Sequence, residues 1–351
     1  MTKKNILIIG SQGYLGSQLI IKLNKLGYNC FRYDLGYFKK GVLGYINHNL
    51  DSYKDAKDIN ENDIKDYDVI IQLAAFSNDP IDNLDPNLFY NPTKEYTIAI
   101  AKLCKKLQKK FIFPSSCSVY GISKDILDET SPTNPQTHYS QNKLDIENEL
   151  IKMTNNKFVP IILRLATVYG YSPRVRFDVV INMLIGMALT TKEIILNSNG
   201  QSWRPHVHID DVCNTIVKCI ENNHFDINSF PLNVGSNESN AKVLDLAIMI
   251  QKAIKDCKVD FLTNYKSDTV NNLIKDRKIN NGVDKRTYRI NFNKINNILP
   301  KLNFLNLEKG INETIYLFKK HNLDQKLFKQ KDFYRLQKLE EIYQKNKLNI
   351  K

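Results

Sequence analysis

Long apolar runs are absent from this 351-residue sequence. No stretch approaches the roughly 18 apolar residues that a membrane-spanning helix requires, so we expect no membrane span. The first apolar run begins at Asn5 and stops at Gly10, well before the core of a signal peptide would be complete. We therefore expect a soluble, cytoplasmic protein.

Closely spaced cysteines are absent as well. The six cysteines show neither the paired spacing of a metal site nor the dense framework of a small secreted domain. His206 and His208 stand close together but have no acidic or cysteine companions at ligand spacing, so we interpret them as loop or core residues. We expect reduced thiols and no metal.

Acidic residues are in the minority. The 37 acidic and 50 basic residues leave a formal net charge of +13. The lysines are scattered along every segment instead of forming a stripe, and most basic runs are solvated helix faces, so we expect no nucleic acid as a partner. Hydrophobic residues at 42% supply enough apolar area for a folded core, and the length fits one large domain or two closely joined ones.

A buried strand and a glycine turn are predicted at the start of the chain. The run Asn5–Ile9 is continuously apolar after its first residue, as in a strand buried on both faces of a parallel sheet. The G-x-x-G-x-x-G turn that follows can direct backbone N–H groups and the positive end of a helix at a pyrophosphate. A purely structural tight turn is the alternative interpretation. The cofactor residues predicted here are Gly10, Gly13, Tyr14, Leu15 and Gly16.

The next predicted strands also end in residues suited to a dinucleotide. Asp34 follows the strand that begins at Asn29, where its carboxylate can accept hydrogen bonds from the adenosine ribose and would repel a 2′-phosphate. This favours NAD over NADP, with a plain loop residue as the alternative. Small residues after the strand 69–73 let a cofactor lie close to the strand end. The further cofactor residues predicted are Asp58, Ile59, Leu73, Ala74 and Ala75.

Ser116, Tyr139 and Lys143 have the spacing of an acid/base site. Ser116 follows the apolar strand 111–113, and ligands bind at the carboxyl ends of strands in open α/β sheets. Tyr139 and Lys143 stand four residues apart on one face of a predicted helix, although a Y-x-x-x-K pattern alone also arises by chance in a lysine-rich chain. A lysine cation favours the phenolate, so Tyr139 can act as the base while Ser116 holds the substrate hydroxyl and a hydride leaves for the nicotinamide. We predict that Tyr139 and Lys143 also contact NAD.

The chain resembles the extended short-chain dehydrogenase/reductase superfamily, which includes sugar-nucleotide 4-epimerases and dehydratases. The resemblance runs from about Lys4 to Phe318 and rests on the motifs above together with 116–121, 163–164 and 203–212. It implies an α/β fold, a Rossmann-type doubly wound parallel sheet with a smaller, partly interleaved α/β substrate lobe. It also implies NAD as cofactor, a nucleotide-diphosphate sugar as substrate, and a homodimer formed through the helices around 93–107 and 139–153.

The residues after Ser116 bear on the reaction. In the 4,6-dehydratases that the chain resembles, acidic groups stand there, whereas this sequence has Cys117 and Ser118, which are poor proton donors to a leaving hydroxyl. The resemblance then implies chemistry at the sugar C4 hydroxyl, and we predict a 4-epimerase. The alternatives are a 4-keto reductase and a nucleotide-sugar 4-dehydrogenase, such as the GDP-heptose-modifying enzymes of bacterial surface-polysaccharide pathways. A non-catalytic NAD-sensing protein is the alternative of another class.

Substrate contacts are expected mainly in the second half of the chain. An arginine fork suits a diphosphate better than a point charge does, and Arg204 lies in a segment shared with the superfamily. Thr167 stands where typical epimerases of the superfamily have an asparagine beside the diphosphate, which indicates a nucleotide pocket that differs from the UDP-galactose type. The predicted substrate residues are Ser77, Asn78, Ser116, Cys117, Ser118, Thr167, Arg174, Arg176, Arg204 and Arg286.

Three regions are predicted along the chain. Residues 1–165 form the NAD-binding Rossmann domain, to which about 205–225 return as a helix, and residues 166–318 form most of the substrate-binding lobe. Residues 319–351 carry apolar side chains at helical spacing among Lys and Glu, which predicts a basic helical tail docked on the body. A membrane-surface role is the alternative for this tail.

Overall fold

The computed structural model of this chain describes residues 4–46, 50–77, 86–264 and 286–348. Strands and helices alternate along most of this length, as the switching between apolar runs and helical periodicity predicts. The strands are β1 (Asn5–Ile9), β2 (Asn29–Asp34), β3 (Ser52–Tyr53), β4 (Val69–Gln72), β5 (Lys110–Ser116), β6 (Ile126–Leu127), β7 (Ile161–Leu165), β8 (Thr167–Tyr169), β9 (Glu193–Leu196), β10 (Trp203–His208), β11 (Leu232–Val234), β12 (Asn240–Lys242), β13 (Lys258–Phe261) and β14 (Arg289–Ile290). The helices are α1 (Tyr14–Lys25), α2 (Pro86–Lys106), α3 (His138–Met153), α4 (Val180–Thr191), α5 (Ile209–Glu221), α6 (Val243–Ala253), α7 (Asn293–Ile298), α8 (Leu307–Lys320), α9 (Gln325–Phe328) and α10 (Arg335–Leu348).

The central sheet has seven parallel strands in the order β11-β7-β5-β4-β1-β2-β3. The chain builds one half outward from β1 to β3 and then builds the other half outward from β4 to β11, so the strand order reverses between β1 and β4. The crevice at the carboxyl ends of the strands beside such a reversal is where open α/β sheets bind ligands. The predicted Rossmann-type doubly wound sheet is confirmed, and its geometry fixes the edge at which a site is expected.

Burial explains why β1 lies at the centre of this sheet. Ile6, Leu7 and Ile8 are fully buried, and strands flank β1 on both sides with helices above and below. A strand with a polar face could not occupy this position, because one of its faces would bury unpaired polar groups. The continuous apolar run seen in the sequence is therefore the property that selects the central strand.

Smaller sheets and a second hydrophobic core form the rest of the molecule. The smaller sheets have the orders β12-β10-β8, β13-β9 and β14-β6. The second core is built around Phe177, Leu184 and Phe318, where α4 packs against α6 and α8. The lobe around the central sheet and the lobe around the second core are interleaved in sequence. Late in the chain, α5 packs against α1 and β11 pairs with β7 in the central sheet. The sequence indicated the return of α5 but contained no clear signal for the three-residue strand β11.

The C-terminal tail packs on the second core. The Phe177 ring lies 5.0 Å from that of Phe328 and 5.3 Å from that of Phe333, measured between centroids, and both tail rings are buried. Gly186 in α4 makes room for this packing, since a Cβ at that position would clash with the Phe328 ring. Among the helices of the described ranges, none is both long and apolar enough to cross a membrane.

Candidate active site

A cavity of about 690 Å³ lies at the carboxyl edge of the central sheet. Its wall is formed by the turn after β1, the ends of β2, β4, β5 and β7, the start of α3 and part of α10. The ends of strands on both sides of the β1/β4 reversal therefore line one cavity. Both the predicted cofactor residues and the predicted substrate residues contribute to it.

The glycine turn between β1 and α1 is shaped for the close approach of a ligand. Gly10 has a φ of +86°, and a Cβ there would clash with the backbone at the end of β4. Gly13 precedes α1 without a side-chain cap, so the first N–H groups of the helix remain available to an anion. All five residues predicted at this turn line the cavity, namely Gly10, Gly13, Tyr14, Leu15 and Gly16. The turn fits the diphosphate of a dinucleotide.

Asp34 lines the cavity at the end of β2. Its carboxylate accepts hydrogen bonds from the backbone N–H groups of Gln12 at 2.9 Å and Gly36 at 2.7 Å. These bonds fix the carboxylate but leave lone pairs for ribose hydroxyls, because two oxygens can accept about four hydrogen bonds. A 2′-phosphate would meet this negative charge. The position therefore fits the adenosine ribose of NAD.

The segment after β3 is arranged differently from the prediction. Asp58 is exposed at the end of a 3-10 turn, and Ile59 is buried in the main core, so neither lines the cavity. Residues 55–57, directly before them, line it instead. The sequence pattern located the segment but not the residues that face the cavity, because a single turn decides the direction of each side chain.

The end of β4 is tied to the glycine turn. The N–H groups of Leu73 and Ala74 both donate to the carbonyl oxygen of Ile9, at 2.8 and 2.9 Å. Leu73, Ala74 and Ala75 line the cavity, as predicted for residues that a cofactor approaches closely. These hydrogen bonds hold the two strand ends at a fixed separation across the crevice.

Ser116, Tyr139 and Lys143 line the same cavity. Ser116 is the last residue of β5, and Thr137 caps α3 by accepting a hydrogen bond from the Ser140 N–H at 3.1 Å, so the helix begins directly before Tyr139. The Lys143 ammonium lies 5.8 Å from the centroid of the Tyr139 ring. The spacing in the sequence thus produces a phenol, a cation and a hydroxyl around one space.

Lys143 supplies the positive charge of this trio. Its Nζ donates to the Pro114 carbonyl oxygen at 2.8 Å and lies 4.5 Å from the centroid of the Phe113 ring. Burial lowers the pKa of Lys143 to about 8, against the opposing attraction of Glu147. Lys143 is therefore a cation at neutral pH and loses its proton just above that pH. A cation at this position can stabilise a phenolate.

A buried network lies beneath the trio, and we call it the core cluster: Ser115, Tyr120, Glu147, Arg164 and Asn233. Arg164 donates to the Glu147 carboxylate through Nε and Nη2, with a shortest separation of 2.7 Å, and to the Tyr120 hydroxyl at 2.8 Å. Ser115 donates to Glu147, and Tyr120 donates to Asn233 at 2.9 Å. Burial would lower the pKa of Arg164, but Glu147 outweighs it and raises that pKa. The cluster joins β5, β7, β11 and α3, and two of these elements, β5 and α3, carry the predicted catalytic residues.

Cys117 and Ser118 point into the protein. The 3-10 turn Cys117–Tyr120 buries both side chains, and neither residue lines the cavity. The Cys117 thiol donates to the Arg164 carbonyl oxygen at 3.2 Å, and burial raises its pKa well above the ordinary value. The Ser118 N–H donates to Ser116 Oγ at 3.1 Å. Their contribution to the site is to fix the position of Ser116.

The predicted substrate residues divide into two groups. Ser77, Ser116, Thr167, Arg176, Arg204 and Arg286 line the cavity. Arg174 does not line it, because its guanidinium is buried and donates to the Phe38 carbonyl oxygen and to Gln12 Oε1. Asn78 lies outside the described residues. The arginines on β10 and before β14 come from distant parts of the sequence and meet only in the fold.

Arg204 and Arg286 meet at one end of the cavity. Arg204 donates to the Trp203 carbonyl oxygen at 2.8 Å and to the carbonyl oxygen of Arg286, and its guanidinium lies 5.5 Å from the centroid of the Tyr288 ring. Arg176 lines another part of the wall, where it donates to the Ser77 carbonyl oxygen at 2.8 Å and pairs with Asp178 at 2.8 Å. Arginines therefore line the cavity at two separate places.

The tail contributes to the cavity, which the sequence analysis did not anticipate. Arg335 and Leu339 of α10 line it, together with Tyr37 and Phe38 from the loop after β2. The amphipathic pattern of the tail indicated only that it docks. Where it docks depends on the second core, so the sequence held no signal for this contact.

Metal ligands do not cluster in the parts of the chain described here: no three His, Cys, Asp or Glu side chains come close enough to hold an ion. His206 and His208 lie in β10 and are almost fully buried. Burial lowers the pKa of His206 to about 3, so this imidazole is neutral within the core. Both side chains are thus packed in the interior of the protein.

Comparison with known proteins identifies relatives with this architecture. The model of the NAD dependent epimerase/dehydratase family matches residues 6–235. The chain is similar to UDP-glucuronic acid decarboxylase 1 of Xenopus tropicalis, with 23% identity over 335 residues that cover 91% of this chain and 73% of that protein.

Solved structures show the same likeness. UDP-glucuronic acid 4-epimerase from Bacillus cereus, crystallised with UDP-glucuronic acid and NAD, has a TM-score of 0.72 and 24% identity, covering 90% of this chain and 99% of that one. TunA, an NAD-dependent NDP-hexosamine 5,6-dehydratase involved in tunicamycin biosynthesis, has a TM-score of 0.75 and 21% identity, covering 92% and 99%. At this identity the structures establish the shared fold. Their names specify different reactions, so the reaction has to be inferred from the site.

Proposed function

This chain belongs to the NAD dependent epimerase/dehydratase family and is an NAD-dependent enzyme, and we propose that it is a 4-epimerase of a nucleotide-diphosphate sugar. The observation that carries the proposal is the arrangement around Ser116. Tyr139 and Lys143 share the cavity with Ser116, while Cys117 and Ser118 are turned into the core. The cavity thus has the groups for oxidising a hydroxyl, and the two positions at which a dehydratase of this superfamily carries acids supply none.

The residues that hold NAD in this proposal are those of the glycine turn, Asp34 and the end of β4. The uncapped start of α1 would hold the diphosphate, the Asp34 carboxylate would accept hydrogen bonds from the ribose hydroxyls, and residues 73–75 would bind the cofactor at the end of β4. Bound NAD supplies the acceptor and the donor of a hydride. The protein supplies the position of the sugar and the movement of the hydroxyl proton.

Tyr139 removes the proton from the C4 hydroxyl in the proposed mechanism. The phenolate that this requires is stabilised by the Lys143 ammonium, and Ser116 holds the substrate oxygen by a hydrogen bond. When the hydride returns to the opposite face of C4, Tyr139 gives the proton back to the oxygen. The protein ends each turnover in the protonation state in which it began.

Arg204 and Arg286, which meet in the fold, are proposed to hold the diphosphate of the substrate, and Arg176 is proposed to contact the substrate elsewhere on the wall. Each lines the cavity, and a guanidinium can form paired hydrogen bonds with phosphate oxygens. Ser77 and Thr167 line the same space and offer hydroxyl groups. The proposed substrate is accordingly a nucleotide-diphosphate sugar, with its sugar beside Tyr139.

A nucleotide-sugar 4-dehydrogenase, for example of the GDP-heptose type, is the second candidate, and a 4-keto reductase is the same chemistry in reverse. Thr167 lines the cavity where the superfamily's typical epimerases have an asparagine, which favours a nucleotide pocket that differs from the UDP-galactose type, as a GDP-sugar would require.

The proposed homodimer would use the outer faces of α2 and α3, which pack against one another. Sedimentation that shows a strict monomer at micromolar concentration would count against the dimer.

The test is to incubate the enzyme with NAD and a panel of UDP-, GDP-, CDP- and dTDP-sugars. Absorbance follows NADH, and mass spectrometry and NMR identify the sugar products. A C4-inverted sugar without net NADH supports the epimerase, whereas a keto sugar with stoichiometric NADH supports the dehydrogenase and overturns the proposal. No change in any sugar overturns both.

Tyr139→Phe is the variant that tests the mechanism. We expect turnover to fall by ~10²–10⁴-fold, because the acid/base hydroxyl is lost while the ring that lines the cavity remains. NAD should still bind, because the glycine turn, Asp34 and the end of β4 are unchanged. The control is Tyr316→Phe, at an exposed tyrosine of α8 outside the cavity. Retention of full turnover by Tyr139→Phe would exclude the proposed base.

A further inference from the structure

Arg335, at the start of the tail helix α10, brings a buried guanidinium to the cavity wall. Only 7% of the residue is exposed, and it lines the cavity together with Leu339 one turn further along. The tail is held there by the packing of Phe328 and Phe333 on the second core. The guanidinium is therefore fixed at the cavity by the fold rather than by a flexible side chain reaching in from the surface.

The guanidinium of Arg335 has no anionic partner within the described ranges. Its central carbon lies 3.6 Å from the centroid of the Phe38 ring, and the backbone N–H of Arg335 donates to Asp178 Oδ2 at 3.0 Å. The Asp178 carboxylate is itself held by Arg176 Nε at 2.8 Å and Nη2 at 3.0 Å. No acceptor in the described part of the protein receives a hydrogen bond from the guanidinium.

The charged groups described around the Arg335 guanidinium include one more cation than anions. We call Asp34, Arg174, Arg176, Asp178 and Arg335 the cavity cluster. Burial lowers the pKa of Arg335 to about 9, repulsion by Arg176 and Arg174 acts in the same direction, and attraction by Asp178 and Asp34 opposes it. Among the described residues, three guanidiniums of this cluster thus face two carboxylates, and the Arg335 side chain donates no hydrogen bond to either carboxylate. An uncompensated buried charge is costly, so a bound anion would stabilise this arrangement.

The position of Arg335 selects the anion. Phe38 lies four residues after Asp34, and Arg174 connects the Phe38 carbonyl to Gln12 in the glycine turn. Arg335 therefore lies on the side of the cavity formed by the glycine turn and Asp34. Arg204 and Arg286 lie elsewhere on the wall, beside Tyr288.

We propose that Arg335 is a cofactor-binding residue whose guanidinium pairs with the diphosphate of bound NAD, so that the C-terminal tail latches the cofactor into the cavity. In this proposal the glycine turn would contact the diphosphate through backbone N–H groups, and Arg335 would contact it through its guanidinium. The inference rests on the cofactor half of the proposed function and is independent of the reaction at C4. It assigns a role in binding to a part of the chain that lies beyond the match to the family model, which ends at residue 235.

Calorimetric titration of the full-length protein tests the proposal. The variant is Arg335→Met, which keeps an aliphatic side chain against Phe38 and removes the charge. We expect the Kd for NAD and for ADP-ribose to rise by about tenfold or more, as for loss of a charge-assisted contact. Adenosine, which has no phosphate, should bind as before, and NAD should dissociate faster from the variant in a dilution experiment. Arg335→Lys keeps the charge but not the fork, so its Kd for NAD should lie between those of wild type and Arg335→Met.

Lys338→Met is the matched control. Lys338 lies in the same helix and is equally buried, but it pairs with Asp332 at 2.7 Å and Glu341 at 3.3 Å and does not line the cavity. Its loss should leave NAD affinity unchanged. Thermal unfolding distinguishes a binding role from a structural one. Without ligand, Arg335→Met should be at least as stable as wild type, because like-charge repulsion is removed. The rise in Tm on adding NAD should be smaller for the variant than for wild type.

Three results would overturn the proposal. An effect confined to NADP would assign Arg335 to a 2′-phosphate, and an effect confined to UDP or GDP would assign it to the substrate diphosphate. Unchanged affinities for every ligand, or destabilisation of the ligand-free variant with a full Tm rise on NAD, would make the residue structural. None of these results depends on which sugar the enzyme converts, so they test the role of Arg335 separately from the 4-epimerase proposal.

Discussion

The core cluster and the cavity cluster both contain buried arginines, but their charges are balanced differently. In the core cluster, Arg164 uses its guanidinium on Glu147 and Tyr120 and does not line the cavity described above. In the cavity cluster, Arg176 and Arg335 line the cavity, and the guanidiniums outnumber the carboxylates. A buried arginine whose partners are all protein groups fixes the position of its neighbours. One that faces a cavity without an anion indicates a ligand.

The comparison also separates two requirements of the site. The core cluster joins β5 to α3, so it sets the positions of Ser116, Tyr139 and Lys143 relative to each other. The cavity cluster joins the loop after β2 to the second lobe and the tail. Damage to the first cluster is therefore expected to cost stability, and damage to the second to cost ligand affinity.

The largest effect is expected from Glu147→Gln, which would leave the Arg164 charge uncompensated in the core. We expect a loss of ~3–5 kcal/mol in the free energy of unfolding, as for a buried ion pair from which one partner is removed. Denaturant titration measures it. The control is Glu149→Gln in the same helix, where an exposed pair with Lys152 is removed and the unfolding midpoint should stay in place. Equal effects of the two substitutions would show that the buried Glu147–Arg164 pair contributes no more to stability than an exposed pair.

Asp34→Ser is expected to change ligand choice rather than stability. The substitution removes a carboxylate that attracts Arg174 and Arg335, so the cation excess of the cavity cluster grows. NAD should bind more weakly by ~1–2 kcal/mol, because ribose hydroxyls lose a charged acceptor, and NADP should bind more tightly. Titrations with both dinucleotides measure this. Asp51→Ser, at a carboxylate paired with Arg32, is the control. Parallel losses for NAD and NADP would show that Asp34 does not discriminate between them.

The smallest effect is expected in the pH dependence of kcat/KM. Burial lowers the pKa of Lys143 to about 8, so the cation that stabilises the Tyr139 phenolate is present below that pH and is lost above it. The rate should therefore fall on the alkaline side of about pH 8. Glu147 attracts the ammonium and raises this pKa, so in Glu147→Gln the falling limb should move to lower pH. Profiles of the two proteins that coincide would show that the core cluster does not act on Lys143.

Patterns within short stretches of sequence predicted much of the site. The run 5–9, the three glycines after it and Asp34 identify the first strand, turn and second strand, and each depends on neighbours only a few residues away. Tyr139 and Lys143 share a helix face because four residues complete about one turn. These features are local, so the amino-acid order carries them directly.

Residues separated by a turn were harder to place. Asp58 and Ile59 were predicted for the cofactor, but the 3-10 turn before them directs 55–57 to the cavity instead. Arg174 and Arg176 alternate within one loop, and only Arg176 lines the cavity. A pattern can identify such a segment, but the direction of each side chain depends on what the segment packs against.

The sequence by itself determined the fold class, the glycine turn and the pairing of Tyr139 with Lys143 on one helix face, because strand burial, glycine backbone freedom and helical spacing are properties of neighbouring residues. Only the tertiary structure decided that Arg335 meets the cavity. Its backbone bonds to Asp178, 157 positions earlier in the chain, and that contact exists because aromatic side chains of the tail fill space left by Gly186 in α4. Such contacts depend on the docking of whole helices, which no local pattern encodes.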